Sequence, residues 1–148
     1  MIRGAVGLLP VSLQRLATDG RIRSLAQFAK FGAVGIVGLA IDTATVYALR
    51  GPAGLYGAGV AGYFTAASSN WLLNRVWTFR GQGGGPAHRQ WARFLVANAL
   101  GFVLNRGTYA LLVTFSPLAA RHPVIAVAAG AVVGMVLNFE LSRRMVFR

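Results

Sequence analysis

The sequence predicts an all-α membrane protein of four transmembrane helices, built as two helical hairpins that repeat in parallel, with both termini in the cytoplasm. Hydrophobic residues make up 55% of the 148 residues and charged residues only 12%, and the mean hydropathy is +0.57. Such a chain has too little polar surface to cover a soluble domain. Four apolar runs approach the roughly 20 residues that cross a bilayer core, and most of the 15 lysines and arginines lie at their ends.

The first 27 residues form a basic lead-in to the first apolar run. Its arginines surround a short apolar stretch that is interrupted by Pro10. This stretch is short for a cleaved signal peptide, and no small-x-small cleavage site follows it. We expect residues 1–27 to lie in the cytoplasm or at the membrane interface, with their cations against lipid head groups.

The first hairpin repeat covers residues 28–80. Its spans are predicted at about 31–49 and 55–74, and a tight glycine- and proline-containing turn at 50–54 joins them. A polar, glycine-rich loop at 81–90 follows, which should be cytoplasmic and flexible.

The second hairpin repeat covers residues 91–148. Its spans are predicted at about 94–115 and 124–141. Ser116-Pro117 ends the third span, and the fourth follows Pro123, because proline interrupts a continuing helix.

An internal duplication relates the two hairpins. Residues 70–80 have the pattern N-W-x-x-N-R-x-x-x-F-R, and residues 138–148 have the similar pattern N-F-x-x-S-R-x-x-x-F-R. The openings at 27–31 and 90–94 are 63 residues apart and the closings are 68 apart, so the second unit has gained about five residues. Two further pairs follow from this register: Gly38 with Gly101, and Asp42 with Asn105.

Positive charge predicts the orientation. Twelve lysines and arginines lie in the lead-in, the middle loop with its flanks and the C-terminal tail, whereas the other side carries only Arg50 and Arg121. This bias puts both termini and the middle loop in the cytoplasm and makes the halves parallel repeats. Because the cations sit at the ends of apolar runs, the net charge of +12 indicates membrane lipids rather than nucleic acid as partners.

Opposite charges fall at matching depth inside two predicted spans. Asp42 and Arg106 both lie roughly 17 Å along their spans from the cytoplasmic end, near the midplane. A charged side chain is costly to insert at that depth, and this cost favours a functional role for both residues. With Asn105 they would form an intramembrane polar path in which Arg106 receives an anionic group and Asp42 balances it. The alternative is a buried ion pair that only fixes helix register.

Duplicated arginines and amides form a second candidate site. Arg75 and Arg143, with Asn70, Asn74 and Asn138, would suit the phosphate of a lipid head group at the inner interface. The alternatives are a topology signal for the arginines and interhelical hydrogen bonds for the amides.

Other residues near this site have predictable roles. Glu140 is expected to pair with Arg143 or Arg144. Four aromatic residues would form an interfacial belt or a surface for stacking a sugar: Trp71, Trp77, Phe79 and Phe147.

No catalytic set is found in the sequence, so we expect no enzyme activity, no cofactor and no metal site. The chain has no cysteine, its two histidines lie in predicted loops and its three carboxylates are scattered. The GxGxxG at 57–62 opens a membrane span without a preceding strand, which indicates close helix packing rather than nucleotide binding.

The ordered set of motifs resembles the GtrA-like family of small four-span membrane proteins. The residues that carry the resemblance lie between about 26 and 148: Phe31-Gly32-x-x-Gly35 before Asp42, Asn70-x-x-x-Asn74-Arg75-x-Trp77-x-Phe79-Arg80, Arg93-Phe94 and Asn105, and Asn138-x-x-x-x-Arg143-x-x-x-Phe147. Arg106 and Ser142 depart from the family pattern. The resemblance implies a role in cell-surface polysaccharide glycosylation, through flipping of a polyprenyl-phosphate-linked sugar across the cytoplasmic membrane.

Two other functions compete with this hypothesis. The protein could be a membrane scaffold that recruits a polyprenyl-phosphate glycosyltransferase, which would then be its partner. A small multidrug-type antiporter would use Asp42, but the charge bias argues against the dual topology of that class. A single copy with four helices is small for enclosing the path of a lipid head group, so we also expect a homo-oligomer.

Overall fold

The computed structural model describes residues 11–148, and this part of the chain is all-helical. Five α-helices and two π-helical segments follow one another. The α-helices are α1 (Val11–Leu49), α2 (Gly54–Leu73), α3 (Ala87–Phe115), α4 (Pro117–Arg121) and α5 (Pro123–Leu141). The first π segment (Asn74–Thr78) continues α2, and the second π segment (Ser142–Val146) continues α5.

Local sequence explains where the helices begin and end. Gly54 has a φ of 67° at the turn between α1 and α2, a conformation that glycine adopts without steric cost. Pro117 and Pro123 stand at the starts of α4 and α5, where the missing N–H costs nothing. The Ser116 Oγ accepts a hydrogen bond from the Ala119 N–H and so caps α4.

The helices extend the predicted spans at the basic ends. Residues 11–27 of the predicted lead-in are helical and continuous with the first span, while residues 1–10 lie outside the described residues. The predicted loop at 81–90 is shorter than expected, because α3 begins at Ala87. Gly83 has a φ of 84°, and a Cβ on it would lie 3.0 Å from the Phe147 Cα, so the loop packs against the C-terminal end.

Three helical stretches are long and apolar enough to cross a membrane: Asp19–Leu49, Ala87–Phe115 and Ile125–Val146. Helix α2 has 20 residues, which at about 1.5 Å per residue could also cross, but its glycines, serines and Asn70 lower its hydropathy. Large apolar side chains such as Ile36, Phe102 and Val132 are exposed along the helices, where lipid would cover them. The chain is therefore a multi-pass membrane protein.

Close contacts at glycine hold the first helix pair, α1 with α2. A Cβ on Gly38 would collide with the Asn70 carboxamide, and one on Gly62 would collide with the Asp42 carboxylate. Because the contact partners run in opposite directions along the chain, α1 and α2 are antiparallel. Glycine at these positions lets the polar side chains lie in the interface between the helices.

The second helix pair, α3 with α5, has contacts at the corresponding positions. A Cβ on Gly101 would collide with the Asn138 carboxamide, and one on Gly130 would lie 2.5 Å from the Asn105 backbone oxygen. A Cβ on Gly134 would lie 2.9 Å from the Gly101 backbone oxygen. In each pair, an asparagine carboxamide thus packs against a glycine of the neighbouring helix.

A cluster of aromatic side chains joins the two pairs where the π segments end. Phe79 and Phe147 stack with ring centroids 4.6 Å apart and planes 12° apart. Each follows a π turn, since the Phe79 N–H donates to the Asn74 oxygen (2.8 Å) and the Phe147 N–H donates to the Ser142 oxygen (2.9 Å). We call this group the aromatic cluster, and its buried members are Phe31, Phe79, Phe94, Phe139 and Phe147.

Candidate functional site

A cavity of about 490 Å³ lies between the two helix pairs. Both pairs contribute to its wall, and Phe31 and Phe94 of the aromatic cluster belong to its lining. Every asparagine of the chain lines this cavity: Asn70, Asn74, Asn98, Asn105 and Asn138. Asp42 is the one ionisable acid or base among the lining residues, apart from the phenol of Tyr63. The cavity therefore concentrates amides in a chain whose surface is largely apolar.

The wall consists largely of positions that correspond between the two helix pairs. For most lining residues in the first half of the chain, adding 63 or 68 to the residue number gives a residue of the second half that also lines the cavity. These matched positions include Phe31 with Phe94, Gly38 with Gly101, Asp42 with Asn105, Tyr63 with Ala131, and Asn70 with Asn138. The cavity thus follows the boundary between the two halves of the sequence.

Three of the asparagines that line the cavity have a carboxamide oxygen without a hydrogen-bond partner among the described residues. These oxygens are the buried Oδ1 atoms of Asn70, Asn74 and Asn138. A buried carbonyl oxygen without a partner costs about 1–3 kcal/mol, and the carboxamides of Asn70 and Asn138 lie packed against Gly38 and Gly101. The predicted amides of the site are thus brought together, although around the cavity rather than around an arginine.

Asn98 is a lining residue that the sequence analysis missed. Its Nδ2 donates to the Phe94 backbone oxygen at 2.9 Å, which directs its own Oδ1 away from that bond. The corresponding residue of the first half is Gly35, so the internal repeat could not reveal it. Its position four residues after Phe94, on the same helix face, was the available signal.

The predicted pairing of Asp42 with Arg106 is wrong. Asp42 lines the cavity beside Gly62, whereas Arg106 is exposed and its guanidinium lies 5.5 Å from the Phe102 ring centroid. No salt bridge joins them. The reason is helix geometry, since Asn105 faces the cavity and the next residue is rotated by about 100°. Depth along the membrane was estimated from the sequence, but the helix face was not.

Arg75 lies at the arginine-bearing end of the first helix pair and contacts the second. Its Nη1 donates to the Gln90 Oε1 at 2.7 Å, and its guanidinium lies 5.7 Å from the Trp71 ring centroid. The Trp71 Nε1 donates to the same oxygen at 3.2 Å. Among the described side chains, no carboxylate lies within 4 Å of Arg75. Its positive charge is therefore not neutralised by an ion pair.

Arg143 has different partners, although it occupies the corresponding position. Its Nη2 lies 2.9 Å from the Glu140 Oε1, and its Nη1 donates to the Ser24 Oγ at 3.3 Å. Arg144 also binds Glu140, at 2.8 Å. The predicted pairing of Glu140 is confirmed, and it reaches both arginines. Glu140 thus offsets the charge at Arg143, whereas Arg75 keeps its charge.

The aromatic residues divide between core and surface. Phe79 and Phe147 are 0% and 2% exposed and belong to the aromatic cluster, so they offer no surface for stacking a sugar. Trp77 is half-exposed and lies 5.6 Å from the Lys30 Nζ, which fits an interfacial position. Trp71 is partly buried between Arg75 and Gln90. The predicted belt is therefore confined to Trp77 and Trp71.

These features define a multi-pass helical membrane protein with an asparagine-bearing cavity between its helices. The sequence model of the GtrA/DPMS transmembrane domain matches residues 30–147. The chain belongs to this family, and the predicted resemblance is confirmed. Membership indicates a membrane protein of glycosylation-related polysaccharide synthesis. No curated protein sequence matches the chain.

Water access to the cavity can be tested by cysteine labelling, because the chain has no cysteine of its own. Ala131 lines the cavity, and its neighbour Val132 is 56% exposed on another helix face. We expect Ala131→Cys in proteoliposomes to react with a small hydrophilic methanethiosulfonate, because a thiolate forms only where water reaches it. The matched control Val132→Cys should react far more slowly, since lipid covers it. Equal rates at both positions would contradict a water-filled cavity.

Proposed function

We propose that the protein moves a polyprenyl-phosphate-linked sugar across the inner membrane for cell-surface polysaccharide glycosylation. The observation that carries this proposal is the asparagine-lined cavity between the helix pairs, together with Arg75, which follows the lining residue Asn74 and has no carboxylate within 4 Å among the described side chains. An anchor or a scaffold would need neither feature. A transporter of an amphiphile needs a polar path for one part of its substrate and lipid contact for the other.

The sugar is assigned to the cavity. Sugar hydroxyls are donors as well as acceptors, so they can bind the polar side chains of the lining, which are the asparagines and Asp42. A volume of about 490 Å³ lies within the range of small-molecule sites. The head group would therefore exchange its hydrogen bonds to water for bonds to asparagine.

The phosphate is assigned to Arg75. Among the described residues that line the cavity there is no lysine or arginine, so these residues offer an anion no cationic partner. One of the five guanidinium N–H groups of Arg75 binds Gln90, and the other donors can bind phosphate oxygens. Arg143 is engaged with Glu140 and Ser24 and is assigned to holding the two helix pairs together.

The prenyl chain is assigned to the lipid. Exposed apolar side chains, among them Ile36, Leu39 and Phe102, form part of the cavity rim. A cavity with such a rim is open along its side, so the sugar could enter while the attached chain stays in the bilayer. This sideways opening separates the proposal from an antiporter for small soluble drugs.

The proposed topology has four spans in two parallel repeats, with both termini and the middle loop in the cytoplasm. Helix α2 is counted as a span because its polar residues have partners away from lipid: Asn70 lies against Gly38, and the Ser68 Oγ accepts from the Trp91 Nε1 at 3.0 Å. Its 20 residues match the bilayer core. The distribution of lysine and arginine supplies the orientation.

Single cysteines in two loops test this topology. Gly51 and Gly84 are exposed and have open space where a Cβ would lie. We expect a membrane-impermeant maleimide to label Gly51→Cys from outside intact cells. Gly84→Cys should be labelled only after the membrane is opened, because one span separates it from each outer loop. Labelling of both cysteines from the same side would mean that α2 does not cross.

Transport itself is tested in proteoliposomes with a fluorescent polyprenyl-phosphate glucose. We expect Arg75→Ala to slow transfer between leaflets at least about tenfold, because a charge-assisted hydrogen bond contributes roughly 1.5–3 kcal/mol. The matched control is Arg144→Ala, since the side chain of Arg144 is 73% exposed and, among the described residues, pairs with Glu140 alone. Wild-type rates for Arg75→Ala would remove the phosphate assignment. No transfer by the wild-type protein, with a glycosyltransferase co-purifying, would favour the scaffold.

A further inference from the structure

We propose that the cavity selects against acidic sugars, and that Asp42 is the residue that imposes this selection. The preferred head group is an uncharged or amine-bearing sugar ring. The inference rests on the proposed function, because it concerns the substrate class of the same cavity. It adds a specificity that neither the family nor the transport mechanism requires.

Asp42 is the one acidic residue of the wall, and its carboxylate contributes acceptor atoms only. The other polar side chains of the wall are neutral carboxamides and the phenol of Tyr63. Among the described residues, no lysine, arginine or histidine belongs to the lining. The cavity can therefore satisfy hydroxyl and ammonium donors, but it offers no cation to a second carboxylate.

The position of Asp42 makes its charge effective. The side chain lies against Gly62 of α2, within the first helix pair, and no cationic side chain of the described residues lies within 4 Å of it. Charges interact more strongly in such a partly apolar surrounding than in water, at an effective dielectric constant of about 20 against 80. A carboxylate on a bound sugar would therefore be repelled without compensation.

The second helix pair supplies an internal comparison. Asn105 occupies the position that corresponds to Asp42, and it also lines the cavity. Asparagine has nearly the shape of aspartate but no charge, so the wall needs a polar group of this size at both places and a charge at only one. Asp42→Asn would make the two sides alike and remove the formal charge of the cavity without removing volume.

The test measures binding rather than transport, with the full-length protein in nanodiscs. The probes are citronellyl phosphate glucose and its glucuronic acid counterpart, which differ only in the charge of the ring. We expect the wild-type protein to bind the glucosyl probe at least about tenfold more tightly than the glucuronosyl probe. In Asp42→Asn the ratio should fall to about threefold or less, because the repulsion is gone.

The matched control is Asp19→Asn, which makes the same chemical change at an exposed position outside the cavity. It should keep the wild-type ratio, and circular dichroism should show equal helix content in all three proteins. Equal binding of both probes by the wild type, no binding of either, or a wild-type ratio in Asp42→Asn would overturn the inference. Discrimination in binding without any transport would instead refute the proposed function alone.

Discussion

The structure depends on where asparagine side chains can lie in helices that are largely apolar. Leaving an amide unpaired in lipid costs several kcal/mol, so asparagines in membrane helices turn towards protein or towards a polar cavity. In this chain all of them do so in one place, and glycines opposite Asn70 and Asn138 make the necessary room. The close approach of the helices within each pair, and the cavity between the pairs, both follow from this constraint.

The two halves share one helical arrangement because of the duplication, but single residue differences between them change the charge and the pairing of equivalent side chains. The aromatic stack of Phe79 on Phe147 joins equivalent residues, so the halves meet symmetrically at that point. The arginines beside it do not behave alike, because Glu140 in the second half takes the position that Leu72 has in the first. One guanidinium is therefore held in an ion pair, and the other keeps its charge for a ligand. Asp42 and Asn105 differ in the same way within the cavity.

The sequence predicted the helical fold and the family, and it singled out five polar residues that line the cavity. Hydropathy and charge placed the helices, and the repeated motif drew attention to Asn70, Asn74 and Asn138, which all line the cavity. Helix ends were less predictable, since the continuation of α1 back to Val11 carries arginines that resemble a separate lead-in.

Side-chain direction was the main property that the sequence did not determine. Arg106 matched Asp42 in depth but points away from it, because one residue of helix rotation separates it from Asn105. The π turns were also invisible in the residue pattern, although they set where Phe79 and Phe147 enter the core. Packing between helices decides these features, and periodicity along one helix does not report it.

The central claim, that the sugar occupies the cavity between the helix pairs, is tested most directly by photocrosslinking. A polyprenyl-phosphate sugar with a diazirine on its ring would be irradiated with the protein in nanodiscs, and the crosslinked peptides mapped by mass spectrometry. The account predicts crosslinks at cavity residues of both pairs, such as Asn70 and Asn138, that excess unlabelled lipid abolishes. Crosslinks confined to exposed positions such as Val60 or Val132, unaffected by competitor, would contradict it.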